Sequence, residues 1–391
     1  MEISFARRME KFQPGIFNVL DDKKKELEQA GRKVYNLSIG TPDFQPDRHV
    51  MEALSQAALL PENYKYSLTE RPELVAAVQN WYRRRYGVAL AADELMAVYG
   101  SQEGLTHIGL TICDPGDVVL VPNPGYPIFE MGPFLCGAEI AYYDLLPENG
   151  YLPDLDAIPE KTARAAKLMV VSYPANPVCV AAPRSFYEKL IDFAKRYQIV
   201  IIHDNAYSEI IYDGREGISF LSIPGAKEVG IEYNSLSKTY NLTGARISFV
   251  LGNRDVVRKF RTLRSQIDYG TFLPVQFAAV AALNGPQDSV ARNRAEYQAR
   301  RDALCGGFRS IGWSVPDSQG SMFVWAPLPE GYSNSVNFCF ELLEKTGLLC
   351  TPGSAFGSLG EGYVRFALVQ PVEVMREIVA SVAESGILNR K

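Results

Sequence analysis

The 391-residue sequence is poor in several features, and each shortage argues against a class of protein. Only three histidines are present, which argues against a histidine-rich metal site, and we expect no bound metal. The six cysteines are scattered without any C-x-x-C pair, a pattern typical of reduced, buried thiols and not of a disulfide scaffold. No apolar run approaches the roughly 18 residues that span a bilayer, so we expect no membrane partner.

Charge is also close to balance, with 40 basic and 45 acidic residues and a formal net charge of −5. Nucleic-acid binding needs a basic face, so the composition argues against nucleic acid as the main partner. Small anionic metabolites need only one or two placed arginines, so the composition does not argue against them. The N-terminal MEISFARRMEKF carries closely spaced charges and no apolar core. It does not have the pattern of a signal peptide, and we expect a cytoplasmic protein.

The middle of the chain alternates short apolar runs with helical patterns. Residues 118–121 (VVLV), 168–172 (LMVVS) and 199–202 (IVII) are continuous and β-branched, as buried parallel strands are. Residues 183–197 place apolar side chains at helical spacing behind a proline. Strands alternating with helices predict an α/β domain whose mainly parallel sheet is sandwiched by helices.

The last hundred residues have a different pattern, which predicts a smaller α+β domain. Two helical and two strand patterns lie at residues 294–308, 335–346, 322–326 and 363–368. A cluster of turn residues at 284–286 predicts the linker between the domains. The expected domains are a large one at 45–284 and a small one built from 1–44 and 285–391.

The motif NSLSKT at residues 234–239 combines a lysine with small hydroxyl residues. Taken alone, such a lysine commonly lies in a solvated loop. Here Ser235, Ser237 and the nearby Arg246 are donors suited to a phosphate group. Burial and neighbouring cations would lower the pKa of Lys238, so that its neutral amine forms an imine (Schiff base) with an aldehyde cofactor.

The motif IVIIHDNAY at residues 199–207 places a carboxylate at the end of a predicted buried strand. Parallel sheets bind ligands at that edge. Asp204 either caps the next helix or pairs with a pyridinium nitrogen, which makes the ring an electron sink. Tyr207 then lies near the ring oxygen of the same cofactor.

Further candidate residues lie in four other segments, of which the first precedes a helical pattern and the others follow or lie in predicted strands. The segments are GSQEG (100–104), NPGYP (123–127), SYPANP (172–177) and YVRFA (363–367). Small residues that open a helix, as in GSQEG, expose N–H groups to an anion. Tyr126 either stacks on a planar ring or packs against the core, and Asn176 lies in a tight Asn-Pro turn as a donor to a ring oxygen. Arg365 needs a buried anion, either a ligand carboxylate or an internal Asp or Glu.

These motifs, in this order and spacing, resemble the fold-type I, pyridoxal-phosphate-dependent aminotransferases. The resemblance runs from SIGTPD (38–43) to YVRF (363–366). It implies that the large domain binds pyridoxal phosphate, that Lys238 holds it covalently and that Asp204 pairs with its pyridine nitrogen. It also implies that Arg365 binds the substrate α-carboxylate, with Gly40 lining the same pocket.

The same resemblance implies the remaining contacts and the assembly. Ring contacts are implied for Tyr126, Asn176 and Tyr207, and phosphate contacts for Ser101, Gln102, Ser235, Ser237 and Arg246. Tyr126 and Asn176 would also line the substrate site, and Tyr207 would take part in catalysis with Lys238 and Asp204. Tyr66 resembles the tyrosine that reaches the phosphate of the neighbouring subunit, which implies a homodimer with shared active sites.

Within the family, residues 230–244 and the segment IDYGTF (267–272) look most like the LL-diaminopimelate aminotransferases. The family's Asn-Pro-Thr-Gly is here Asn176-Pro177-Val178-Cys179, and its Gly-Ser-Lys is Gly100-Ser101-Gln102. The resemblance implies ping-pong transfer of an amino group from an L-amino acid to 2-oxoglutarate or pyruvate. Expected donors are LL-diaminopimelate, glutamate, aspartate or alanine. A carbon–sulfur β-lyase or a non-catalytic regulatory domain on the same fold is the alternative; retention of Lys238 argues against the latter.

Overall fold

The structure, a computed structural model, describes residues 1, 3–12 and 16–389. Residues 2, 13–15 and 390–391, which the sequence assigns to the small domain, lie outside the described residues. The strands are β1 (Tyr35–Asn36), β2 (Leu95–Val98), β3 (Val118–Asn123), β4 (Glu139–Asp144), β5 (Ala166–Ser172), β6 (Val200–Asp204), β7 (Gly230–Ser235), β8 (Ser248–Gly252), β9 (Phe323–Pro327), β10 (Leu348–Leu349), β11 (Thr351–Pro352) and β12 (Tyr363–Ala367).

Helices connect and cover these strands. They are α1 (Ile16–Gln29), α2 (Arg48–Ala58), α3 (Pro72–Tyr86), α4 (Ser101–Ile112), α5 (Ile128–Cys136), α6 (Glu160–Ala165), α7 (Arg184–Tyr197), α8 (Ala226–Val229), α9 (Leu236–Thr239), α10 (Arg254–Arg264), α11 (Leu273–Asn284), α12 (Asp288–Ser310), α13 (Ser335–Thr346) and α14 (Val372–Ser385). Short 3₁₀ helices lie at Arg7–Lys11, Pro61–Tyr64, Ala92–Glu94, Pro147–Asn149, Leu155–Ala157, Phe220–Ser222, Thr243–Ala245, Gly353–Phe356, Ser358–Gly360 and Ile387–Asn389. No helix in the described ranges is both long enough and apolar enough to cross a bilayer.

The chain divides into two units, which we call the large and the small unit. The small unit comprises Met1–Gly40, Arg300–Asp317 and Phe323–Lys391, and the large unit comprises Thr41–Ala299 and Ser318–Met322. The predicted boundaries at 44/45 and 284/285 differ from this division. The turn at 284–286 separates α11 from α12, and residues 285–299 belong to the large unit.

The large unit is built on a seven-stranded sheet in the order β2-β8-β7-β6-β5-β3-β4. All neighbouring pairs from β7 to β4 are parallel, and only β8 runs in the opposite direction. The three continuous apolar runs of the sequence correspond to β3, β5 and β6, as predicted, with only Ile199 outside its strand, because strands covered on both faces need no polar side. Their carboxyl ends meet at one edge of the sheet.

Helices cover both faces of this sheet, as the sequence pattern predicts. On one face Ile202 joins a buried cluster with Leu105 of α4 and Phe260 of α10. The next residue along β6, His203, points to the other face and meets Tyr187 of α7 with ring centroids 5.4 Å apart. Burial of each such apolar side chain contributes about 1.5–3 kcal/mol, which holds the sheet edge in place.

The small unit is α+β, also as predicted. Its antiparallel sheet has the order β11-β12-β9, and β1 pairs in parallel with β10, so the N-terminal segment joins the C-terminal part of the chain. Helix α13 occupies residues 335–346 as the sequence indicates, with Phe338 and Leu342 fully buried. The predicted strands at 322–326 and 363–368 correspond to β9 and β12.

Candidate active site

Most of the residues singled out in the sequence lie at one edge of the large sheet. Asp204 ends β6, Ser235 ends β7, and Tyr126 and Asn176 follow β3 and β5. Register places Asp204 between Ser172 of β5 and Tyr233 of β7. Parallel strands bring these carboxyl ends together, although the residues are far apart in the chain.

Asp204 is a buried carboxylate with an unused hydrogen-bonding atom. Its side chain is only 6% exposed, and its Oδ1 has no hydrogen-bond partner. Burial raises the pKa of Asp204 from 3.8 to about 6, while the charge of His203 and the N–H of Ala206 act in the opposite direction. A lone buried carboxylate oxygen is costly, so the position fits a cationic N–H donor such as a pyridinium.

Lys238 lies on the short helix α9, directly after β7. Ser235 caps this helix, because its Oγ accepts the N–H of Ser237 at 3.1 Å. Ser235 and Ser237 are buried, and Lys238 is half-buried. The cap uses Ser235 as an acceptor only, so its hydroxyl proton is still available for donation to an anion.

Ser101, Gly100 and Arg246 form a second polar group, which we call the phosphate cradle. Ser101 opens α4, and its buried Oγ has no hydrogen-bond partner. Arg246 donates to the carbonyls of Thr243 at 2.9 Å and Tyr99 at 3.2 Å. A Cβ on Gly100, which has φ +88°, would lie 2.3 Å from Arg246 Nη2. Only glycine therefore allows the guanidinium to lie against the start of α4, a donor set that fits a phosphate.

The ring-contact candidates lie around the same sheet edge. Asn176 and Tyr207 are buried, whereas Tyr126 is half-buried and packs edge-on against Phe129. The Asn176–Pro177 peptide is cis. Cys179 has φ +60°, a left-handed conformation that favours glycine, which accounts for the glycine that the family has at this position. The turn is kept here by the Cys179 N–H, which donates to the Ala175 carbonyl at 3.0 Å.

Two predicted residues of the large unit are exposed. Gln102, in the first turn of α4, is exposed, and Tyr66 is 76% exposed. The Tyr66 ring lies against Tyr269, with centroids 4.8 Å apart. Within its own chain, Tyr66 is therefore a surface residue.

Arg365 and Gly40 lie together in the small unit. Arg365, on β12, is 6% exposed and donates from Nη2 to the Ser38 carbonyl at 2.9 Å. Its guanidinium lies 4.1 Å from the ring centroid of Phe323 and 4.6 Å from that of Phe356. A Cβ on Gly40 would come within 2.3 Å of the Phe323 ring, so glycine is needed beside it. The two aromatic rings hold the planar guanidinium of Arg365, a cation suited to binding a carboxylate.

The structure also reveals a buried network that our sequence reasoning missed. His203 Nδ1 lies 2.9 Å from Glu232 Oε2, and both side chains are fully buried directly behind Asp204. Glu232 also accepts from the hydroxyls of Tyr82 and Ser219, each at 2.8 Å. The sequence did carry a signal for this network, because His203 in β6 and Glu232 in β7 are titratable residues inside otherwise mostly apolar strands. Among the described residues, no group of acidic, histidine and cysteine side chains could hold a metal ion.

Comparison with known proteins gives one consistent result. The family model for aminotransferases of class I and II matches residues 32–382. The LL-diaminopimelate aminotransferase of Moorella thermoacetica is 44% identical over 378 residues, which cover 96% of each chain.

Solved structures extend the similarity over nearly the whole chain. Substrate-bound BacF from Bacillus subtilis has a TM-score of 0.93 at 35% identity and covers 98% of both chains. A probable N-succinyldiaminopimelate aminotransferase from Thermus thermophilus has a TM-score of 0.90 at 32% identity, over 95% of this chain and all of that one.

Proposed function

The chain belongs to the aminotransferases of class I and II, and on that premise we propose that its amino donor is LL-diaminopimelate. The enzyme is a pyridoxal-phosphate-dependent aminotransferase, which moves an amino group from an L-amino acid to a 2-oxo acid by a ping-pong mechanism. The comparisons give no support to the β-lyase alternative over transamination. The proposed donor is supported by the 44% identity to the Moorella enzyme over nearly the full length of both proteins.

The observation that carries the cofactor site is the buried Asp204 oxygen without a partner. Pyridoxal phosphate, when bound, supplies an electron sink for the bonding electrons of the substrate Cα–H bond. Asp204 would hold the ring nitrogen protonated through a charge pair that the buried surroundings strengthen. Tyr207 and Asn176 would hold the ring oxygen, and Tyr126 would cover the ring face.

Lys238 is the proposed covalent anchor and the base of the reaction. A primary amine on a flexible stem suits both tasks. Lys238 Nζ can take the proton from the substrate Cα, hold it, and move within the site before releasing it. The phosphate is held by the cradle and its neighbours. These neighbours are Gln102, Ser235 and Ser237.

Arg365 is the proposed anchor for the α-carboxylate of both donor and acceptor, with Gly40 beside it. Its guanidinium is already fixed by the Ser38 carbonyl and two aromatic rings. A planar fork held in one orientation loses little entropy on binding a carboxylate through two hydrogen bonds. Both half-reactions use the same carboxylate position, which is consistent with ping-pong kinetics.

A homodimer is proposed from an exposed aromatic patch on the large unit. The patch comprises Tyr64, Tyr66, Leu68, Tyr269 and Phe272, each at least 43% exposed. Tyr64 packs on Phe272 and Tyr66 packs on Tyr269, so two ring contacts join the segment at 64–68 to the segment at 269–272. Contiguous exposed apolar surface of this kind marks an interface, and a second copy would receive the Tyr66 hydroxyl at its phosphate.

Sedimentation tests this assembly. We expect a dimer, and Tyr66→Phe should weaken cofactor retention about 10- to 150-fold, the worth of one hydrogen bond to a charged group, without dissociating the dimer. A fully active monomer would refute the shared site. We also propose a cytoplasmic location, because all six cysteines, which lie within the described ranges, are buried and form no disulfide.

A donor panel tests the reaction. The enzyme is incubated with LL-diaminopimelate, glutamate, aspartate or alanine, each with whichever of 2-oxoglutarate and pyruvate is not its own oxo acid as acceptor, and the new amino acid is quantified. LL-diaminopimelate with 2-oxoglutarate should yield glutamate fastest, with parallel double-reciprocal plots. Faster transfer from another donor would overturn the proposed donor and leave transamination standing. Pyruvate and ammonia from cystathionine, with no transfer from any donor, would instead establish the β-lyase.

A further inference from the structure

The two loops that carry the aromatic patch are fastened to each other. Gln276, at the start of α11, is buried and donates from Nε2 to Ser67 Oγ at 2.7 Å and to the Thr271 carbonyl at 2.9 Å. Gly270, with φ +89°, packs so closely that a Cβ there would lie 2.3 Å from the Ser67 carbonyl oxygen. Residues 64–71 and 267–272 therefore behave as one piece of surface, and what holds one loop holds the other.

Arg264, the last residue of α10, anchors this surface from inside the large unit. It is only 4% exposed. Its Nε and Nη2 both reach Asp268 Oδ2, at 2.7 and 2.6 Å. The other carboxylate oxygen of Asp268 accepts the N–H of Gly270 at 3.1 Å. Arg264 thus fixes the loop through a carboxylate that in turn fixes the loop backbone.

The same guanidinium also contacts α4, the helix that begins at the phosphate cradle. Arg264 Nη1 lies 2.8 Å from Glu103 Oε2, a charge contact without the alignment of a hydrogen bond. Glu103 is in the first turn of α4, where its carboxylate accepts the N–H of Tyr99 at 3.1 Å and contacts His107 Nδ1 at 2.6 Å. One buried cation therefore lies between a carboxylate of the patch loops and a carboxylate of α4, the helix that begins at the cradle.

Tyr99 completes the connection in parallel with Arg264. Its carbonyl accepts the hydrogen bond from Arg246 of the cradle, and its hydroxyl donates to the Gly270 carbonyl of the patch loop. An anion that holds Arg246 in place would therefore also hold Tyr99, and with it the loop that carries Tyr269. Ordering a binding surface in advance strengthens binding at that surface.

We propose that Arg264 is a positioning residue that couples phosphate binding in the cradle to subunit pairing at the aromatic patch. The inference rests on the proposed function, because it takes the cradle as the phosphate site and the patch as the dimer interface. Coupling of two binding events is reciprocal, so the cofactor tightens the dimer by the factor by which dimerisation tightens the cofactor. Without Arg264, Glu103 and Asp268 should repel each other, and only Tyr99 would still join the two surfaces.

The test is the dimer dissociation constant, measured by analytical ultracentrifugation on cofactor-free enzyme with and without saturating pyridoxal phosphate, and separately with inorganic phosphate. In the wild type, pyridoxal phosphate should lower this constant about 5- to 150-fold, the usual range of coupling between sites. Inorganic phosphate should give a smaller change in the same direction. We call the dissociation constant without ligand divided by that with ligand the coupling ratio. Arg264→Met, which keeps the apolar stem, should lower the coupling ratio for both ligands, leaving only the part that Tyr66 and Tyr99 supply, and Arg264→Lys should restore part of the effect.

Arg261→Met is the matched control. Arg261 lies one turn earlier on α10 and pairs with Glu70 of the first patch loop at 2.6 Å, and it donates to the Leu95 carbonyl, outside the cradle. This variant should weaken the dimer equally with and without cofactor. The coupling ratio should therefore keep its wild-type value. Tyr99→Phe removes a single hydroxyl and should lower the ratio even if Arg264→Met fails to fold.

The outcomes separate this inference from the function on which it rests. A wild-type ratio of one, an unchanged ratio in Arg264→Met and Tyr99→Phe, or equal loss of the ratio in Arg261→Met would overturn the coupling while transamination by the dimer persists. A wild type that is monomeric, or that transaminates no donor, would overturn the proposed function itself.

Discussion

Replacement of Asp204 by asparagine should make the cofactor-free enzyme more stable as the pH rises from 4 to 6, relative to wild type. The pKa of Asp204 is about 6 in the folded protein because the carboxylate is buried, against 3.8 when it is solvated. Between these values the folded chain binds more protons than the unfolded chain. Ionisation of Asp204 therefore costs stability as the pH rises through this window, and the cost is fully present above pH 6.

The size of the effect follows from the same two values. A shift of roughly two pKa units, at 1.36 kcal/mol each, corresponds to about 3 kcal/mol of unfolding free energy at pH 7. Asparagine carries no charge, so Asp204→Asn lacks this loss. Its buried amide N–H adds a cost that does not change with pH, and that cost cancels when only the slope between pH 4 and 7 is compared.

Thermal unfolding of cofactor-free enzyme at several pH values measures this slope. The difference in melting temperature, Asp204→Asn minus wild type, should rise from pH 4 to pH 6 and then stay constant. The control Asp192→Asn removes a charge from an exposed position on α7 and should give a flat difference. With pyridoxal phosphate bound, the cationic ring nitrogen should stabilise the Asp204 carboxylate, so the advantage of Asp204→Asn over wild type at higher pH should disappear. A flat difference for Asp204→Asn, or one that falls with pH, would refute the reasoning.

Three further substitutions test the site. Lys238→Ala should lower turnover by at least ~10²- to 10⁴-fold, the usual contribution of an acid–base group, and lose the visible absorbance of the bound cofactor; near-normal transamination would contradict its role. Arg365→Lys should lower kcat/KM about 10- to 100-fold in both half-reactions, because an ammonium lacks the planar fork; a loss confined to one half-reaction would argue against a shared carboxylate position. Gly100→Ala should displace Arg246 and weaken cofactor retention, measured by equilibrium dialysis, whereas Gly116→Ala also has positive φ but contacts nothing and should retain the cofactor.

The sequence by itself determined the elements and most of the residue types of the site. Continuous apolar runs encode strands buried on both faces, and helical spacing encodes α7 and α13, because both patterns depend only on neighbouring residues. The carboxylate of Asp204 and the hydroxyls around Lys238 could be found in the same way. Asp204 stands at the point where a predicted strand ends, which is where a parallel sheet presents its ligands, and the hydroxyls stand in the same short motif as Lys238.

Only the tertiary structure decided which distant residues meet. Strand order places β8 between β2 and β7, which brings Arg246 against Gly100 although the two lie far apart in the sequence. The pair of His203 and Glu232, and the position of Arg264 between two carboxylates, likewise join segments with no local signal for each other. Side-chain pairing of this kind depends on how the sheet is ordered and how the helices pack on it, and those choices are made by the sum of long-range burial, not by any one stretch of chain.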